Sequence, residues 1–184
     1  MEYLTLACRV LLGVVFLVSA LTKLTSPVRY RSFVRATKRM RVVPRAVVKQ
    51  TAVLVVAAEA SIVVLLAIPT TVTALAGFVV AFGLLSGFTA GIIVAVRDGD
   101  TEPCACFGRS TTPMGPQHVW RNGFLLLIAA AGFAGAVVGG SPEIGIAAIA
   151  AVGGLVFGGL VTVFDDLYEL FRPTPAASSS SRHG

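Results

Sequence analysis

Long apolar runs, interrupted by few charges, dominate the chain. Five of them are each close to the ~20 residues that a helix needs to cross the hydrocarbon core of a bilayer. They run from Tyr3 to Leu21, Val47 to Ile68, Val72 to Val96, Gly123 to Gly140 and Ile144 to Phe164. Because a segment in lipid must satisfy its own backbone hydrogen bonds, the pattern predicts an all-α bundle of about five membrane-spanning helices.

The connections between the runs differ in length and chemistry. Two joints, at 69–71 and 141–143, leave room only for tight helical hairpins. The two longer connections are a basic segment at 22–46 and a segment at 97–117 that contains a Cys-x-Cys pair. We expect one transmembrane domain over 1–171 and a disordered, Pro- and Ser-rich tail over 172–184.

Composition agrees with a membrane protein. Of 184 residues, 55% are hydrophobic and 13% are charged, and the mean hydropathy is +0.85. These values lie far outside the range of a soluble globular domain. Three cysteines are too few for a disulfide-stapled secreted scaffold.

The net charge of +6 comes from one segment. Nine of the fifteen cations are Lys23, Arg29, Arg31, Arg35, Lys38, Arg39, Arg41, Arg45 and Lys49, with no acid among them. The rest of the chain is net negative, so the basicity does not indicate a nucleic-acid partner. The expected partner is the lipid bilayer of the cell membrane.

The basic segment also bears on orientation. By the positive-inside rule it would lie in the cytoplasm, and the cysteine segment, two helices later, would lie on the same side. The alternative is that residues 25–49 form an amphipathic helix on anionic headgroups, in which case its cations do not report topology in the usual way.

Two ionisable residues fall well inside the apolar runs, Arg9 in the first and Glu59 in the second. If the first two helices run antiparallel from a shared loop near Leu21 and Val47, each of these two residues lies ~18 Å from the loop end of its helix. We therefore expect them to pair and to fix the register of the two helices. Two alternatives stay open: a proton or quinone site at Glu59, or an Arg9 side chain that extends to the near surface. Lys23, just after the first run, is a third polar residue that we expect within the membrane.

Small residues recur at helical spacing in the third and fifth runs. Gly83, Gly87 and Gly91 are four residues apart, as are Gly154 and Gly158. Such stripes allow close helix contact, and we favour packing within the bundle over a dedicated dimer face.

Cys104 and Cys106 are the strongest chemical signal, whereas the third cysteine, Cys8, is expected only to pack. Two thiols one residue apart indicate redox chemistry or a soft metal. A disulfide across so small a ring is strained and easily reduced, which suits thiol exchange better than structural stapling.

Cations near the pair would stabilise a thiolate. The candidates are Arg109, His118 and Arg121, and the neighbouring acids of 98–102 oppose them, so the sign of the effect stays open. His118, close to Trp120, is expected as an interfacial residue at a helix end.

Cys104-Ala105-Cys106-Phe107-Gly108 resembles the C-x-C-F-G signature of the methylamine utilisation protein MauE family, among the DoxX-like membrane proteins. Further similar features are Gly13 to Phe16, Ala20 to Leu24 with its Lys23-Leu24 pair, Phe33, Pro44, Glu59 and Arg121-Asn122. The resemblance implies a four-helix DoxX-like core and a role in thiol–disulfide chemistry. It also implies a disulfide-rich client, as in methylamine dehydrogenase maturation, and a thioredoxin-like partner.

The favoured hypothesis is a thiol–disulfide oxidoreductase in which Cys104 and Cys106 are catalytic, with a membrane quinone or a second thiol protein as the electron outlet. We place the pair on the extracytoplasmic side, where disulfides form. One alternative is a non-catalytic assembly or chaperone factor. Another is copper or zinc handling, for which nearby ligands are few.

Overall fold

The computed structural model describes residues 2–39, 43–44, 46–97, 116–139 and 144–170. These residues form six helices: α1 (Glu2–Leu24), α2 (Pro27–Arg39), α3 (Val48–Ala67), α4 (Thr71–Arg97), α5 (Pro116–Val138) and α6 (Ile144–Leu170). The predicted tail and most of the cysteine segment lie outside the described residues.

All the described helices except α2 are long and apolar enough to cross a membrane. The candidate spans are Glu2–Leu24, Val48–Ala67, Thr71–Arg97, Gln117–Val138 and Gly145–Val163. This confirms the predicted all-α bundle with five spanning helices. The short helix α2 falls within the predicted basic amphipathic segment.

The beginning of α5 differs most from the prediction. The helix starts at Pro116, seven residues before the expected Gly123. Proline is well tolerated in the first turn of a helix, because its missing N–H would have no partner there. Three polar residues that precede the expected apolar run, His118, Arg121 and Asn122, therefore lie in the first two turns of α5.

Helix α1 is central: it packs against α2, α3, α5 and α6, while α4 packs against α3 and α5. The contact with α6 depends on glycine. A Cβ at Gly154 would lie 2.5 Å from the Ala7 carbonyl oxygen, and one at Gly158 would lie 3.0 Å from that of Leu11. The expected packing role within the bundle is confirmed at these two glycines.

The α4 stripe behaves differently. A Cβ at Gly83 or Gly87 would meet no described atom within 4 Å, and both residues are exposed. Only Gly91 is buried. The expectation that this stripe packs within the bundle was wrong for Gly83 and Gly87, because the other helices cover the opposite side of α4.

Two apolar clusters fill the bundle interior. The main cluster joins α1, α3, α4 and α5 and includes Leu12, Phe16, Ile62, Phe78, Leu85, Leu125 and the buried Cys8, which packs as expected. The capping cluster contains Phe33, Ala52, Phe88, Ile92 and Ala95, with Val119 packed against it. Through Phe33, helix α2 closes the end of the bundle at which α1 and α4 end and α3 and α5 begin.

Candidate functional site: a buried polar layer

Contacts among three polar side chains join α1 to α3 inside the bundle. Lys23 Nζ lies 2.5 Å from Glu59 Oε1. Ser19 Oγ donates to the same Glu59 oxygen at 2.9 Å and accepts from Lys23 Nζ at 2.8 Å. Lys23 is 3% exposed and Glu59 0%. The carboxylate thus accepts two hydrogen bonds at one oxygen and is matched by one buried cation.

The helical spacing explains this triangle. Ser19 and Lys23 are four residues apart, so they share one face of α1. A lysine side chain on a helix leans toward the N-terminal turn, which takes the ammonium group of Lys23 back over Ser19. The long apolar stem lies along the helix while the charge reaches Glu59 on the facing helix.

Helix α2 covers the ion pair. The Phe33 ring centroid lies 4.7 Å from Lys23 Nζ, within the range of a cation–π contact. Phe33 is 1% exposed. The buried Phe33 ring therefore packs on the ion pair from the side of α2 and interacts with its cation.

Helix α5 adds further polar residues at this depth. His118 and Asn122 are fully buried, and Arg121 is nearly so. On each of three helices, one polar residue lies one turn from a residue of the main cluster, so the three polar residues lie at a similar depth. The pairs are Ser19 and Phe16 on α1, Glu59 and Ile62 on α3, and Asn122 and Leu125 on α5. The set Ser19, Lys23, Glu59, His118, Arg121 and Asn122 forms a polar layer between the main and capping clusters.

The polar layer retains hydrogen-bonding capacity. Glu59 Oε2 and both amide atoms of Asn122 are buried and make no hydrogen bond to the described part of the chain. A buried polar group without a partner costs about 1 to 3 kcal/mol, so such groups are rare in stable interiors. Their presence on two helices distinguishes this layer from ordinary packing.

A small recess leads from the layer toward α6. Its lining includes Ser19 and Arg121, and it is closed by Val15, Val18, Val161 and Thr162. Its volume is about 10 Å³, close to the minimum for one water molecule. The recess suits a solvent molecule and is far too small for a drug-sized ligand.

Arg9 does not pair with Glu59, so that prediction was wrong. Its Nε and Nη2 donate to the Leu66 carbonyl oxygen at 3.1 and 2.9 Å, and Nη2 also donates to that of Ile68. Carbonyls at a helix C-terminus lack helical partners and carry partial negative charge, so they attract a guanidinium group.

The error came from the assumed register. We placed the ends of the first two spanning helices level, but α1 runs on to Leu24 and α2 intervenes before α3. In the observed packing, Glu59 lies opposite Ser19, ten residues further along α1 than Arg9. Lys23, two residues after the first apolar run and near the end of α1, is the partner of Glu59.

The predicted catalytic residues Cys104 and Cys106, and the predicted modulator Arg109, lie outside the described residues. The segment that carries them begins after Arg97 and ends before Pro116. Ala95 near the end of α4 belongs to the capping cluster, and Val119 near the start of α5 packs against it. The two helix ends that flank the cysteine segment therefore lie at the end of the bundle that α2 closes.

The other two predicted modulators lie inside the bundle. His118 was expected as an interfacial residue, yet its side chain is buried, whereas its neighbour Trp120 is 80% exposed. Arg121 joins the polar layer. Sequence reasoning overlooked Ser19, although its position four residues before Lys23 in an apolar run was a usable signal.

The model of the family described as "Methylamine utilisation protein MauE" matches residues 1–135. This range includes α1 to α4, most of α5 and the cysteine pair. No curated protein and no solved structure matches the chain.

Proposed function

Because the chain belongs to the MauE family, we propose that it is a membrane thiol–disulfide exchange protein that helps to mature a disulfide-containing partner through Cys104 and Cys106. The observation that carries this proposal is the Cys-x-Cys pair in a family member, joined to the bundle beside a buried polar layer. The family description names methylamine utilisation, so methylamine metabolism is one candidate setting.

The chemistry of the pair supports exchange rather than stapling. A disulfide between residues two apart closes almost no loop, so it contributes little to stability. The small ring is strained, which raises its tendency to be reduced. Such a disulfide is a suitable oxidant for the thiols of a client.

In the proposed exchange, the Cys104–Cys106 disulfide oxidises two thiols of the client. A client thiolate attacks one sulfur of the Cys104–Cys106 disulfide, forming a mixed disulfide and releasing the other cysteine as a thiolate. A second client thiolate then attacks the client sulfur of the mixed disulfide. The client gains a disulfide, and the pair receives two electrons and becomes a dithiol once two protons are taken up. Reoxidation of the pair passes those electrons to a thioredoxin-like protein or a membrane quinone.

The polar layer supports this proposal by its position. Helix α5 follows the cysteine segment directly, and its first two turns carry His118, Arg121 and Asn122. These residues are buried against α1 and the capping cluster, so the segment is attached to a well-packed helix end. We assign the Lys23/Glu59 pair the role of fixing this end of the bundle.

We further propose that the cysteine pair faces the extracytoplasmic side, where an oxidising environment allows disulfides to persist. Helix α2 supports this placement. It is an amphipathic helix packed on the bundle end, as expected for a segment on anionic headgroups, whose cations do not report topology in the usual way.

Trapping a mixed disulfide tests the function. Cys104→Ser and Cys106→Ser variants, each in a Cys8→Ser background, leave one thiol in the pair. Its thiolate attacks the disulfide of an oxidised client, the reverse of the proposed step, which forms a mixed disulfide and releases a client thiolate. No second cysteine remains in the pair to resolve this adduct. After rapid acid quenching, one of them is expected to accumulate a covalent adduct that reductant releases. Cys8→Ser alone is the matched control and should accumulate none. If neither variant forms an adduct and both retain client maturation, the protein acts as a non-catalytic assembly factor instead.

A further inference from the structure

The outer face of α2 carries a cationic stripe. Arg31, Arg35 and Lys38 are spaced at i, i+4 and i+7, and all three are exposed. At 3.6 residues per turn they lie roughly 140° to 200° around the helix axis from Phe33. The buried face of α2, with Phe33 and Ala36, packs on the bundle, so the cations point away from it.

These three cations have no acidic partner in the described part of the chain. None of them forms an ion pair with a described side chain, and Arg31 Nε donates only to the Pro27 carbonyl oxygen of its own helix, at 3.2 Å. A stripe of three cations without acidic neighbours attracts an anionic partner.

The surroundings of the stripe indicate which anion. Helix α2 starts three residues after the spanning helix α1 ends, so it lies where the bundle leaves the hydrocarbon. Leu24, Val28 and Trp120 at this level are 64%, 68% and 80% exposed. Exposed apolar and indole side chains beside cations are typical of the headgroup region and would be unfavourable on a surface in water.

We propose that the outer face of α2, defined by Arg31, Arg35 and Lys38, binds the phosphate groups of anionic phospholipids. Each cation near an anionic membrane surface strengthens binding roughly fivefold, so three give a preference of about two orders of magnitude. This inference does not depend on the proposed thiol chemistry. It also accounts for three exposed cations that form no ion pair with a described side chain.

Native mass spectrometry of the full chain in detergent tests the proposal. Phosphatidylglycerol and phosphatidylcholine with identical acyl chains are titrated against the protein. The wild type should retain phosphatidylglycerol about 100-fold more tightly, with each cation contributing roughly fivefold. Arg31→Gln/Arg35→Gln/Lys38→Gln should lose most of this preference. The matched control Arg31→Lys/Arg35→Lys/Lys38→Arg keeps the charges and should retain it.

Two results would overturn the proposal: equal retention of both lipids by the wild type, or a preference that survives the triple glutamine substitution. Adding an oligoglutamate peptide separates lipid from protein as the partner. If the peptide binds through the three cations while the lipid preference does not depend on them, α2 is a docking surface for an acidic protein. Should the triple variant fold poorly, Arg35→Gln alone is expected to weaken the preference roughly fivefold.

Discussion

Lys23 Nζ and Glu59 Oε1 lie 2.5 Å apart in a site from which solvent is excluded. The pair joins α1 to α3 at the depth where Asn122 and His118 face inward from α5. Removing two charges from water is costly, and the cost is offset only when their geometry and further hydrogen bonds are good. Ser19 supplies one of those bonds. The pair therefore specifies how these helices align.

Removing one partner of this pair should destabilise the bundle more than removing both. Lys23→Met leaves the Glu59 carboxylate buried without its cation, with an expected loss of about 3 to 5 kcal/mol. Lys23→Met/Glu59→Gln should recover at least half of that loss. Reversible unfolding by SDS in mixed micelles measures both variants, and a double variant as unstable as the sum of the single changes would contradict the coupling.

The Phe33 ring should stabilise the Lys23 ammonium group through a cation–π interaction, in addition to its packing. Phe33→Leu keeps most of the volume but removes the aromatic face, with an expected cost of about 0.5 to 2 kcal/mol. In a Lys23→Met background the same change should cost clearly less. A double-mutant cycle measured by SDS unfolding gives the coupling, and equal costs in both backgrounds would mean that the ring acts through packing alone.

Arg9 and Glu59 should behave as independent sites. Arg9→Met removes the donors to the Leu66 and Ile68 carbonyls at the end of α3, with an expected loss of about 1 to 2 kcal/mol. Combined with Glu59→Gln, the two losses should add within about 0.5 kcal/mol. A larger coupling energy would restore the direct pairing that the sequence suggested.

Gly154 should be required for the contact between α1 and α6, whereas Gly153 should not be required. Gly154→Ala places a methyl group 2.5 Å from the Ala7 carbonyl oxygen, so the helices must separate, at about 1 to 3 kcal/mol. Gly153→Ala is the matched control, because a Cβ there meets nothing within 4 Å. It should be neutral or slightly stabilising, since alanine favours helix. Equal thermal stability of the two variants in detergent would contradict the packing.

The spanning helices could be predicted because hydropathy alone defines them. The beginning of α5 could not, because a hydropathy pattern assigns His118, Arg121 and Asn122 to a loop or helix edge, whereas tertiary packing buries them. The partner of Glu59 was missed for a related reason. Which residues of α1 and α3 lie opposite each other depends on how α2 connects the two helices. The apolar runs contain no information on that register.

The glycine stripes show the same limit. Gly154 and Gly83 sit in similar patterns, yet only the first meets a neighbouring helix within the described structure. Spacing predicts that a close contact is allowed, and the positions of the other helices decide whether one forms.

Labelling of the cysteine pair in intact cells tests the central claim most directly. In a Cys8→Ser background, a membrane-impermeant maleimide is applied with and without prior reduction, and Cys104 and Cys106 are quantified by mass spectrometry. If the two cysteines form an extracytoplasmic disulfide, they are modified only after reduction. Modification that requires opening the membrane but no reductant would place free thiols in the cytoplasm and contradict the proposed oxidative role.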